Sequence, residues 1–70
     1  MERSTFIKEI KRIIEQRDMR AVVTPIFNTN DVMVDYVEPE YRDHRTFNCD
    51  SDSIEAVREF LLYCEAMHNN

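Results

Sequence analysis

Ala21-Val22-Val23-Thr24-Pro25-Ile26-Phe27-Asn28-Thr29-Asn30-Asp31-Val32-Met33-Val34-Asp35-Tyr36-Val37 is the stretch on which the fold turns. Both of its ends are rich in β-branched side chains, which favour extended backbone. In the second half Val32, Val34 and Tyr36 alternate with Met33, Asp35 and Val37, the period of two that gives a strand two distinct faces. Between the halves, Asn28-Thr29-Asn30-Asp31 supplies asparagines, which tolerate the positive φ that glycine would otherwise provide. Strands over 21–27 and 32–37 joined as a hairpin follow. Pro25 has no N–H to donate, which puts the first strand at a sheet edge or marks a bulge. The polar run Glu38-Pro39-Glu40-Tyr41-Arg42-Asp43 then reads as a loop, and His44–Cys49 as a shorter third strand.

On either side of this region the period changes to 3.6. Apolar residues at 6, 7, 10, 13 and 14 line one face, which predicts a helix over about 5–17 capped by Ser4 or Thr5. Downstream, Asp52-Ser53-Ile54-Glu55 has the spacing of a capping box, with Asp52 as N-cap and Glu55 reaching back. Ile54, Val57, Leu61, Cys64 and His68 form a stripe, widened by Phe60 and Met67, over a helix of about 53–68. The order α-β-β-β-α with short connections predicts one α+β domain over residues 1–70. Its layers are a three-stranded antiparallel meander and two helices packed on one face.

Composition removes several classes of function. The chain has 70 residues and no glycine, so neither the nucleotide-binding P-loop nor the dinucleotide fingerprint can form. A fold this small buries only roughly 60% of its unfolded surface, which disfavours a deep enclosed active site. A net charge of −5 argues against binding a nucleic-acid backbone directly. The longest apolar runs are Ala21-Val22-Val23 and Phe60-Leu61-Leu62, too short to span a bilayer, and Glu2-Arg3-Ser4-Thr5 gives no signal-like start. A cytoplasmic domain with Cys49 and Cys64 as buried free thiols is the expectation.

The element order resembles that of double-stranded-RNA-binding domains, but only in topology. Such domains need cations at the start of the last helix, where this chain has Asp50, Asp52 and Glu55 and no base. His44, Cys49, Cys64 and His68 can be written as a metal set, yet they lack the paired-cysteine knuckle that makes zinc motifs specific, and His68 reads as part of a fraying terminus. Cys64 falls in an apolar stripe and Cys49 precedes three acids, neither a setting that activates a thiol. Asp31 and Asp35 share a strand face but are separated by roughly 13 Å, too far to work on one bond. The sequence therefore predicts no enzyme, no cofactor and no metal.

What remains is a binding surface. Two helices cover one side of a three-stranded sheet, so apolar residues on the other side mark an interface. Val22, Ile26, Met33 and Val37 are the expected apolar contacts, and Tyr36 and Tyr41 the aromatic anchors. Acids concentrate between residues 31 and 55, eight against two bases, and Asp35, Glu38, Glu40 and Asp43 are expected to select the partner by charge. The reading is a small non-catalytic module that docks on another protein and forms a homodimer. In general character it resembles the inhibitors and adaptors that bacteriophages and mobile elements encode. The alternative is an acidic nucleic-acid mimic that blocks a DNA- or RNA-handling protein through residues 31–55.

Overall fold

Apolar residues every three or four positions commit Arg3–Gln16 to the first helix, α1, and turn Phe6, Ile10, Ile13 and Ile14 into the interior. The computed structural model describes all of residues 1–70. Neither Ser4 nor Thr5 caps α1. The helix starts earlier, with Glu2 at the N-cap position and no side-chain bond there. At its C-terminal end Asp18 takes a φ of 52°, a conformation that short polar side chains tolerate, and the chain reverses toward the sheet.

Strand β1 spans Ala21–Pro25, β2 Asp31–Glu38 and β3 Tyr41–Asn48, in an antiparallel sheet of order β1-β2-β3. Pro25 thus ends an edge strand, where a missing donor breaks no internal ladder. Asn28 supplies positive φ in the first hairpin, at 59°, whereas Asn30 does not. Asn30 instead donates its amide to Asp50 at 2.7 Å. The loop expected over 38–43 is only the two-residue turn Pro39-Glu40, because β3 begins at Tyr41, opposite Glu38. Neither turn residue has positive φ.

The second helix, α2, spans Ile54–His68. Its N-cap is Ser53, whose Oγ accepts from the Ala56 N–H at 3.1 Å, one residue later than the capping box predicts. Asp52 is otherwise engaged: its Oδ2 accepts from the Asn48 N–H at 2.7 Å. Asn48 in turn accepts on Oδ1 from the N–H groups of Asp50 (2.9 Å) and Ser51 (3.0 Å), and donates Nδ2 to Asp31 (3.0 Å). One asparagine therefore ties β2, β3 and the entry to α2 together.

Both helices pack on the face formed by Val32, Val34, Tyr36 and Phe47, and 13 buried residues make one core. Phe47 and Phe60 meet edge-to-face at 5.8 Å, and the Arg45 guanidinium covers the Phe60 ring at 5.1 Å. Val57, Leu61 and Cys64 of the α2 stripe are buried as expected, but Met67 is exposed. Far ends are closed by polar ties. Arg17, the C-cap residue of α1, grips Glu65 of α2, and Arg3 donates to the carbonyls of Ile26 (3.1 Å) and Thr29 (2.6 Å). No helix is long and apolar enough to cross a membrane.

Candidate functional site

Alternation along the strands, with this register, decides what the uncovered side of the sheet carries. Val32, Val34 and Tyr36 face the helices, so Asp31, Met33, Asp35 and Val37 face away. Their neighbours across the ladder form four rows. Val22, Asp35 and His44 make one row, and Thr24, Met33 and Thr46 the next. At one end Val37 lies between Arg42 and Arg20, whose carbonyl accepts from the Val37 N–H at 2.9 Å. At the other end Asp31 lies between Asn48 and Ile26, whose N–H donates to the Asp31 carbonyl at 3.1 Å.

Five of the expected contact residues are thus brought together: Val22, Ile26, Met33, Asp35 and Val37. Val22 is 50% exposed, and the other four are half-buried by their neighbours on the same surface. The apolar residues occupy every row, and Asp35 is the one carboxylate at its middle. A cationic end with two arginines and an anionic end with Asp31 bracket the face.

The other expected contacts lie elsewhere. Tyr36, an expected anchor, belongs to the core at 2% exposure, because it shares parity with Val32 and Val34. Its phenol is held within hydrogen-bonding distance of His68 Nδ1, at 3.3 Å, and burial first, then the Glu38 charge, raises its pKa. Tyr41 also faces the helix layer, half-buried, with its hydroxyl 3.4 Å from Asp43. Burial, followed by the nearby Asp43 carboxylate, pushes its pKa up to about 12. Glu38 ends β2 and Glu40 lies in the second hairpin turn, and Asp43 shares the helix-side face with Arg45.

The acids of residues 31–55 do not form one patch. Asp31, Asp50 and Asp52 gather around Asn30 and Asn48, while Glu38 and Glu40 sit at the far end of β2, roughly 23 Å away. Arg42 and Arg45 on β3 lie between the two groups. A mimic of a phosphate backbone needs a continuous row of charge, which this layout interrupts.

Chemistry-bearing groups are similarly dispersed. His44 is on the open face and Cys64 in the core, on opposite sides of the sheet, so the four-residue metal set does not converge. Cys49 and Cys64 are both buried free thiols. Burial pushes the Cys64 pKa up to about 11, which keeps it protonated and unreactive at neutral pH. Two open depressions exist. One is lined by Arg3, Phe27, Asn28, Thr29 and Asn30, the other by Asp43, Arg45, Phe60 and Tyr63 among others.

Two features escaped the sequence reading. His68 is not frayed: its Nε2 lies 3.1 Å from Glu40 Oε2, so it joins the hairpin turn to the end of α2. Glu38 is close enough that the ligand atoms of all three residues fall within 4.8 Å. The Glu40–His68 pair accounts for that proximity, and the buried Tyr36 phenol reaches the same imidazole at Nδ1. Phe27, assigned to a strand by its β propensity, stands 86% exposed beyond the end of β1. Nothing in its immediate sequence distinguishes it from a core residue. Compared with protein-family models, curated proteins and solved structures, the chain matches none.

Proposed function

We propose that this chain is a non-catalytic protein-binding module that works by docking through the open face of its sheet. The observation that supports the reading is the face itself. Val22, Ile26, Met33 and Val37 run through all four rows, and no element of the chain covers them. Apolar side chains in every row of an otherwise polar face, bracketed by charge at its two ends, suit an interface. The rigid ladder beneath it keeps the side chains ordered before binding, which lowers the entropy lost on docking. Such a module acts as a small inhibitor or adaptor in a reducing, cytoplasmic setting, a placement supported by its two buried thiols.

The test is a comparison of variants in lysate of the source cells. The chain with Met33→Lys on the open face and the chain with Leu62→Lys on the exposed side of α2 are immobilised beside the unaltered protein. A protein retained by the unaltered chain and the α2 variant, and lost from Met33→Lys, supports the reading. Retention by both variants, or by neither, overturns it.

A further inference from the structure

The charge layout of the open face selects its occupant. Resting on the docking reading above, we propose that a second copy of this chain covers the face in a two-fold stack with antiparallel strands. The stack has its axis in the plane between the sheets and perpendicular to the strands.

With the strands of the two sheets kept aligned, symmetry leaves two ways to press this face against itself, the two-fold axis between the sheets running either along the strands or across them. An axis along the strands lays each row on its own equivalent, with β1 over β3 of the second copy. Arg20 then meets Arg42 of the second copy twice over, and like charges oppose association. An axis across the strands reverses the rows. The arginine end, Arg20-Val37-Arg42, then lies on Ile26-Asp31-Asn48 of the second copy. Each cationic end meets an anionic one, and by symmetry the contact occurs twice. The Thr24-Met33-Thr46 row lies on the Val22-Asp35-His44 row, which covers Val22 and Met33 of both copies at the centre.

Area sets the strength. Three strands about 4.8 Å apart and seven residues of about 3.3 Å give a face of roughly 300 Å² in projection. A standard interface uses about 800 Å² per partner, so the pair belongs to the weak, transient class. The two Asp35 carboxylates flank the axis and repel each other, which lowers the affinity further.

Sedimentation equilibrium of the pure protein over a dilution series tests this, with circular dichroism confirming that each variant folds. The unaltered chain is expected to rise from 8.4 kDa toward twice that mass with concentration. Arg42→Asp is expected to weaken the dimer about tenfold, since it turns two attractions into repulsions. Asp31→Asn, which keeps the acceptor for Asn48, is expected to weaken it less, and Asp35→Asn to strengthen it. An 8.4 kDa mass at every concentration overturns the self-docking. A dimer strengthened by Arg42→Asp overturns the axis. In either case a protein lost from Met33→Lys in lysate still leaves the docking reading standing, so the two failures are separable.

Discussion

Replacing Asn48 with alanine removes the side chain that joins β2, β3 and the start of α2. Three hydrogen bonds go with it: acceptance from the Asp50 and Ser51 N–H groups, and donation to Asp31. A net contribution of about 0.5–1.5 kcal/mol per bond gives roughly 2–3 kcal/mol in total, toward the lower half because water replaces part of each at a half-exposed site. A 70-residue domain has roughly 3.5–10 kcal/mol to lose. In a domain of this size each kcal/mol shifts the midpoint by about 4–8 °C, so a fall of about 10–20 °C is expected. Thermal and urea unfolding followed by circular dichroism measure it. Asn48→Asp separates the parts: it keeps both acceptances but loses the donation and sets a carboxylate against Asp31, and an intermediate loss should result. An alanine variant within about 0.5 kcal/mol of the unaltered chain would refute the reasoning, since the turn would then rest on its backbone and Asp52 alone.

Three other outcomes follow from single side chains. Phe27→Ser should leave the unfolding free energy within about 0.5 kcal/mol of its starting value, because an 86% exposed ring adds nothing to the core. Cys49 and Cys64 should react with a disulfide reagent only after denaturant unfolds the chain, and rapid labelling in native buffer would contradict their burial. Stability should fall as pH rises from the ordinary thiol and phenol range toward 12. Cys64 and Tyr41 hold their protons to about 11 and about 12 in the fold but release them earlier once unfolded. Raised folded values mean that their stabilisation is complete below the unfolded values and lost through the folded ones. Urea midpoints for Tyr41→Phe should be flatter across that window than for the unaltered chain.

How far the fold was legible depended on where burial leaves a pattern. Helix α1 and strand β2 each have one face in the core, and their periods of 3.6 and two were plain in the residues. Strand β3 was shortened because Arg42-Asp43-His44-Arg45-Thr46 contains no apolar position. Its pairing comes from backbone bonds to β2, which carry no hydrophobic signature. The cap of α2 was misplaced by one residue because a suitable carboxylate, Asp52, was already committed to the Asn48 N–H. Such competition is settled by tertiary geometry, not by spacing.

The candidate site was legible to the same extent. Val22, Ile26, Met33, Asp35 and Val37 came together because alternation and register alone place them. Glu38, Glu40, Tyr41 and Asp43 were grouped with them by closeness in sequence, but the tight Pro39-Glu40 turn and strand parity carry them to the edge or the helix side. Tyr36 was assigned to the surface although its own alternation put it with Val32 and Val34. The polarity of the face, with arginines at one end and Asp31 at the other, needed the observed register and could not be read from charge counts along the chain.

The most direct test of the open face as a surface that docks a second copy is a residue-resolved titration of the chain against itself. Amide and methyl NMR shifts of the labelled protein are followed from micromolar to millimolar concentration. Self-docking through the open face requires concentration-dependent shifts that cluster at Val22, Thr24, Met33, Asp35, His44 and Thr46, with the outer sides of α1 and α2 unchanged and Met33→Lys abolishing the effect. Shifts confined to the helices or to the Phe27 loop, or spectra that stay constant throughout, would contradict it.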